Sequence, residues 1–66
     1  MYIDRVRVEA KELQTKILAL SAFKWSKEFK SLDLQERMLL RDQLVPMKQY
    51  FWILVERIES WEKKNG

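Results

Sequence analysis

The side chains that could perform covalent chemistry are few in this chain. Its 66 residues include neither His nor Cys, so the commonest general base and the thiol nucleophile are both missing. The four serines, Ser21, Ser26, Ser31 and Ser60, fall in helical or helix-capping contexts. The residue types therefore argue against nucleophilic catalysis.

Paired carboxylates are the remaining catalytic possibility. Glu9 with Glu12, and Glu56 with Glu59, could form such pairs, but each lies on a face that also carries Lys or Arg. Nothing there would separate the two pKa values, as acid–base catalysis requires. Phosphate-binding loops, dinucleotide fingerprints and metal-binding loops are absent from the sequence. We therefore predict a protein that is not an enzyme and uses no metal or cofactor.

Positive charges are the more informative feature. Lys24 and Arg37 stand where the next apolar residue of two helical stripes is due, and Trp25, Lys27 and Arg41 lie near them in the sequence. In an antiparallel hairpin all five fall at the loop end. Three interpretations stay open: the core frays there and long side chains reach water, the cluster contacts a protein, or it binds an anion. In the last case, Lys and Arg would bind phosphate and Trp25 would stack on a base.

The opposite end of the hairpin is a second candidate for the same chemistry. It combines Tyr2 and Arg5 with Arg7, Trp61, Lys63 and Lys64. Tyr2 and Trp61 are also typical of aromatic packing at the end of a core.

A first helix is predicted over residues 3–25, or over 3–30 if it continues. Its apolar residues recur at spacings of three and four, the pattern of one helical face: Ile3, Val6, Ala10, Leu13, Ile17 and Leu20. A second stripe of Leu18, Ala22, Trp25 and Phe29 turns the apolar face around the helix. The helix therefore either continues to about Lys30 or breaks near Ser26 and restarts.

A second helix is predicted over residues 34–63. Asp33 is a suitable N-cap, and Glu36 completes a capping box. The helix carries a stripe with heptad spacing: Leu40, Leu44, Met47, Phe51, Leu54, Ile58 and Trp61. Pro46 interrupts the backbone hydrogen bonds, so the helix is either kinked there or split in two; the unbroken stripe favours a kink. Asn65 and Gly66 are typical of a helix C-terminus.

A further apolar line lies off this stripe. Met38, Val45 and Trp52 form it, with Val55 nearby. A single partner helix cannot cover both lines, and a chain of this length without disulfides rarely buries enough core alone. We therefore predict that this line is an oligomer or partner interface, and that the hairpin assembles into a homo-oligomeric helical bundle.

Composition bounds the remaining possibilities. Hydrophobic residues make up 47% and charged residues 35%, which differs from a disordered chain. A net charge of +3 permits an anionic partner without indicating a nucleic-acid protein. We expect one all-α domain over residues 1–66, an antiparallel two-helix hairpin, with no membrane span and a cytoplasmic location.

The distribution of residues along both helices resembles a family of short helical-hairpin proteins of tailed bacteriophages and prophages. The resemblance rests on these positions: Tyr2, Arg5, Val6, Glu9, Glu12, Leu13, Lys16, Ile17, Leu20, Phe23, Phe29, Leu32, Glu36, Leu39, Leu40, Gln43, Leu44, Met47, Tyr50, Leu54, Arg57 and Ile58. It covers nearly the whole chain, and Pro46 departs from it. The pattern is one of helix faces rather than of functional residues.

A similar small phage hairpin fold serves as a sponge for cyclic nucleotide immune signals in anti-CBASS and anti-Thoeris proteins. Those proteins are homo-oligomers that bind the messenger without cleaving it. The resemblance implies an anti-defence protein of the host cytoplasm that sequesters a cyclic di- or trinucleotide. Two alternatives stay open: a module that binds and inhibits a host defence protein through its apolar face, and a weak nucleic-acid binder.

Overall fold

Two long helices form an all-α hairpin in the computed structural model, which describes residues 2–66. They are α1 (Tyr2–Phe23) and α3 (Leu34–Asn65), with the short helix α2 (Lys27–Ser31) between them. The arms α1 and α3 pack against each other along a molecule measuring 49 × 15 × 15 Å. The predicted fold of two long helices packed as a hairpin is confirmed.

The core lies in the half of the hairpin that contains the start of α1. Ile3, Val6 and Ala10 of α1 form one buried cluster with Leu54 of α3, which has no exposed surface. Half-buried residues of the same two stripes pack against the cluster: Leu13, Phe51, Ile58 and Trp61. The alternating spacing of three and four keeps these side chains on the facing sides of the two helices.

The first arm ends at Phe23, and the chain breaks at Ser26 before it restarts as α2. The Ser26 hydroxyl donates to the Phe23 carbonyl at 2.7 Å and accepts from the Phe29 N–H at 3.1 Å, so one side chain serves both helix ends. Phe29 is buried and meets Phe23 edge-on, with ring centroids 6.0 Å apart. The alternative of a helix that continues to residue 30 is therefore wrong. The predicted break near Ser26 is found, and α1 ends two residues before the predicted residue 25.

The second arm begins with the expected cap and runs without interruption. The Asp33 carboxylate accepts a hydrogen bond from the Glu36 N–H at 2.8 Å. α3 then continues through Pro46, so the alternative of two separate helices is wrong. It ends at Asn65, whose side-chain amide donates to the Trp61 carbonyl at 2.9 Å.

Much apolar surface stays outside the core. Of the predicted interface residues, Met38, Val45 and Trp52 are exposed and Val55 is half-buried. Leu18 and Trp25 of the second stripe of α1 are exposed as well. In the part of the chain described, none of the helices has an apolar stretch that could cross a bilayer.

Candidate functional site

The loop-end cluster (Lys24, Trp25, Lys27, Arg37 and Arg41) is distributed over the turn that follows α1, the helix α2 and the start of α3. Lys24 and Arg37, the two cations that continue the stripes, are half-buried, whereas the three others are exposed. The Lys24 N–H donates to the Leu20 carbonyl at 3.2 Å, which continues the helical turn of α1 by one residue. The Arg37 N–H donates to the Asp33 carbonyl at 3.1 Å in the first turn of α3.

The side chain of Arg37 contains a hydrogen-bond donor that is not satisfied. Its Nε is buried and has no hydrogen-bond partner within residues 2–66. A guanidinium donor withdrawn from water without an acceptor is costly, and native structures rarely leave one so.

The hairpin places the cluster at one end, but its five members do not contact one another through polar interactions. No hydrogen bond or ion pair joins them in the structure of residues 2–66. The Trp25 side chain is 85% exposed, so its ring face is available for stacking. Between residues 24 and 41 the chain carries five cations and three carboxylates. One of those carboxylates, Asp33, is engaged as the cap of α3.

The opposite end contains an aromatic–cation pair that spans the two arms. Arg57 of α3 donates a hydrogen bond from Nη2 to the Tyr2 hydroxyl of α1, and its guanidinium carbon lies 5.4 Å from the centroid of the Tyr2 ring. This hydrogen bond raises the pKa of Arg57. On the other flank, the Arg7 guanidinium carbon lies 5.7 Å from the Trp61 ring centroid, and Nη1 of Arg7 lies 3.6 Å from Asp4.

A second polar contact joins the arms one heptad further along. The Tyr50 hydroxyl donates to Oε2 of Glu9. The hydrogen bond to Glu9, together with partial burial and the charge of that carboxylate, raises the pKa of Tyr50 above its ordinary value of 10.0. Sequence reasoning missed both cross-arm contacts. The signal was present, because Tyr2 and Glu9, like Tyr50 and Arg57, stand seven residues apart.

The two residues of the second candidate, Tyr2 and Arg5, lie in different concavities. Tyr2 lines a groove of about 350 Å³. The other residues of that groove are Ile53, Glu56, Arg57, Ser60, Trp61 and Lys64. Arg5 lines a separate hollow of about 330 Å³ on α1, with Asp4, Val8, Glu9 and Glu12. The structure therefore pairs Tyr2 with Arg57, places Lys64 in the same groove, and places Arg5 elsewhere.

Residues 1–60 match the family model described as Sequestin. The chain belongs to the Sequestin family. No curated protein and no solved structure matches it. The name of the family denotes sequestration, which is binding without chemical conversion. The part of the chain that matches the Sequestin model contains α1, α2 and most of α3, and so includes the whole loop-end cluster.

Proposed function

We propose that this protein sequesters a cyclic nucleotide immune messenger within a homo-oligomer and thereby counters a host defence during bacteriophage infection. The observation that carries the proposal is the membership of the Sequestin family, whose name denotes sequestration. A sponge of this kind needs a binding site and a high cellular concentration, but no catalytic group. The absence of His and Cys from the chain is compatible with that requirement.

The loop-end cluster is the site that best suits such a ligand. A cyclic di- or trinucleotide carries one phosphate per nucleotide and a base with two flat faces. Lys24 and Arg37 offer half-buried charges for the phosphates, and the buried Nε of Arg37 offers a donor without a competing partner. Charge-assisted hydrogen bonds of this type are the stronger ones. The exposed ring of Trp25 supports stacking of a base.

Lys27 and Arg41 add positive charge around these contacts without being buried themselves. Lys27 attracts the anion and neutralises phosphates that the two half-buried cations do not reach, whereas Arg41, one turn beyond Arg37, contributes to long-range attraction. Because no bond is made or broken, the bound messenger is released chemically unchanged when the protein unfolds. Its effect on the host defence comes from the lowered free concentration alone.

A binding screen tests the proposal. We expect cyclic di-AMP, cyclic GMP–AMP or cyclic tri-AMP to raise the Tm of the protein, and we expect the ligand recovered after heat denaturation to be intact by chromatography. Lys24→Ala and Arg37→Ala should each weaken binding about tenfold or more, in line with the loss of one charge-assisted contact. Lys16→Ala, which removes an exposed cation from the middle of α1, is the matched control and should bind as the parent protein does.

Two results would overturn the proposal. One is a Tm that does not respond to any cyclic nucleotide in the panel. The other is recovery of a cleaved ligand, which would identify an enzyme. Binding that falls steeply with salt and is equally strong for single-stranded DNA would instead indicate a nucleic-acid binder, because each neutralised phosphate releases counterions.

The groove beside Tyr2 is the alternative location for the same ligand. It combines the Tyr2–Arg57 pair with Lys64, and Glu56 at its edge reduces its positive charge. If Arg57→Ala abolishes binding while Lys24→Ala leaves it unchanged, the ligand occupies this groove. The family-level proposal of sequestration would stand, and the loop-end assignment would be wrong.

A further inference from the structure

A second heptad line follows one flank of α3, about 100° around the helix from the seam with α1. Its members alternate at spacings of four and three, the spacing of a coiled-coil seam. This outer line consists of Leu34, Met38, Arg41, Val45, Lys48, Trp52, Val55, Glu59 and Glu62. Pro46 is not on it.

The apolar members of the outer line are poorly covered in the single chain. Met38 is 51% exposed, Val45 57%, Trp52 61% and Leu34 63%. They recur along one side of α3 from Leu34 to Trp52, with Arg41 and Lys48 between them, and a row of exposed apolar side chains of this length marks an interaction surface. A helix with the same spacing of apolar residues on its own surface would cover the stripe by knobs-into-holes packing.

The charges on the outer line indicate which helix could cover it. Arg41 and Lys48 lie in the first part of the line, whereas Glu59 and Glu62 lie in the last part. Two copies of α3 packed in parallel would oppose Arg41 with Arg41 and Glu59 with Glu59, which is unfavourable. Two antiparallel copies bring the cationic part of one line onto the acidic part of the other. The line is therefore complementary to itself in one orientation.

We propose that a second copy of this chain covers the outer line, with its α3 antiparallel to the first and a two-fold axis near residue 50. With the axis at that position, the α3 helices of the two copies overlap over their full length, Leu34–Asn65. In this register Arg41 faces Glu59 of the second copy, Val45 faces Val55, and Lys48 lies against the ring of Trp52. Symmetry repeats each contact on the other side of the axis, as expected of a two-fold interface.

No other long surface of the hairpin fits as well. On the same flank, α1 carries the polar residues Arg7, Lys11 and Gln14, followed by the exposed Leu18, so its apolar area is shorter than that of the outer line. On the opposite flank of α3, Tyr50 and Arg57 already bond to Glu9 and Tyr2 of the chain's own α1. On the outer line, Lys48 and Trp52 border a hollow shared with Gln14, Ile17 and Leu18 of α1, and Met38, Val45 and Trp52 stay exposed.

The proposed function requires a homo-oligomer, and this interface specifies how two copies pack in it. The expectation that the chain self-associates rests on that proposed function. The test of the interface uses no nucleotide. If the chain dimerises but binds no cyclic nucleotide, the proposed function is refuted and the proposed interface is not. If a monomer binds the nucleotide, the proposed interface is refuted and sequestration is not.

Charge reversal tests the pairing of Arg41 with Glu59. We expect sedimentation equilibrium to give a dimer for the parent chain, and Arg41→Glu and Glu59→Arg each to weaken dimerisation about tenfold or more, since each places like charges opposite one another twice per dimer. Mixing the two variants should restore a dimer, because both contacts then join opposite charges. Within one chain these residues are about 27 Å apart along α3, so an intrachain pair cannot explain the restoration. Lys30→Glu, on exposed α2, is the matched control and should not change dimerisation.

Disulfide cross-linking tests the register independently, since the chain has no cysteine of its own. A mixture of Val45→Cys and Val55→Cys should form a covalent heterodimer on mild oxidation. A mixture of Met38→Cys, one heptad away, and Val55→Cys should cross-link far less, because a disulfide tolerates only a short Cα–Cα distance. Circular dichroism checks that all variants stay helical. A parent chain that is monomeric up to millimolar concentration, failure of the charge-reversal mixture to dimerise, or preferential cross-linking through Met38→Cys would each overturn the proposal.

Discussion

Arg57 of α3 donates a hydrogen bond to the Tyr2 hydroxyl of α1, and its guanidinium carbon lies 5.4 Å from the centroid of the Tyr2 ring. One heptad further along each arm, Tyr50 donates to Glu9. The two contacts lie on the same flank of the hairpin and in the same antiparallel register. Together they hold the start of α1 onto α3 beside the buried cluster of Ile3, Val6, Ala10 and Leu54.

The contact between Tyr50 and Glu9 should make stability sensitive to alkaline pH. Because the folded state raises the pKa of Tyr50 above 10.0, it favours the protonated hydroxyl. The stabilisation is present below pH 10.0 and is lost as the pH rises through the raised pKa. Urea unfolding between about pH 9 and pH 11 should therefore show a steeper loss of stability for the parent chain than for Tyr50→Phe.

Ultraviolet titration supplies the control. The chain has two tyrosines, so the difference between the parent and Tyr50→Phe isolates the contribution of Tyr50. Glu9→Gln should move the titration of Tyr50 back towards 10.0. An alkaline unfolding profile that is the same for the parent and Tyr50→Phe would contradict the prediction.

Truncation of Leu54 should be among the most damaging changes to the fold. The side chain has no exposed surface and closes the core cluster from α3. Leu54→Ala is expected to cost about 2–5 kcal/mol, a large fraction of the stability of a small domain. Ile53→Ala is the matched control, because Ile53 directly precedes Leu54 and its side chain is 52% exposed. Chemical denaturation, followed by circular dichroism at a fixed protein concentration, measures the free energy of unfolding of both variants. Equal losses of stability in the two variants would contradict the assignment of Leu54 to the core.

Removal of the cap of α3 should destabilise the hairpin measurably. The Asp33 carboxylate bonds the Glu36 N–H at 2.8 Å, and Asp33→Ala removes this acceptor at an expected cost of about 1 kcal/mol. Asp33→Asn keeps an acceptor at the same position and should retain most of the stability. The midpoint of urea unfolding distinguishes the two variants; if the Ala and Asn variants unfold alike, the cap contributes nothing.

Replacement of Pro46 should stabilise α3. Pro46 lies inside a continuous helix and has no N–H to donate to the Asp42 carbonyl. Pro46→Ala restores that donor and removes the clash of the ring, so we expect a gain of up to about 3 kcal/mol in the free energy of unfolding. Gln49→Ala, at an exposed position one turn away, controls for the helix propensity of Ala. Lower stability of Pro46→Ala than of the parent would mean that the packing requires the local geometry of proline.

The helix stripes of the hairpin could be predicted from the sequence because helical periodicity and end capping are local properties. The stripes from Ile3 to Leu20 and from Leu40 to Trp61 lie on the facing sides of the arms, buried or half-buried throughout. Asp33 is recognisable as a cap because the residue types suited to that position are few. The lack of His and Cys likewise limits the available chemistry, because no fold can supply a side chain that the chain does not contain.

The tertiary structure decided how the two arms are matched. The break after Phe23 depends on the burial of Phe29 against it, which helical periodicity alone does not reveal. α3 stays continuous through Pro46, with Leu44 buried and Met47 half-buried on either side of the proline. The pairing of Tyr2 with Arg57 needs the register of one helix on the other, and a stripe with a seven-residue repeat permits several registers. The sequence thus determined which faces are apolar and which side chains are charged, whereas packing determined which of them meet.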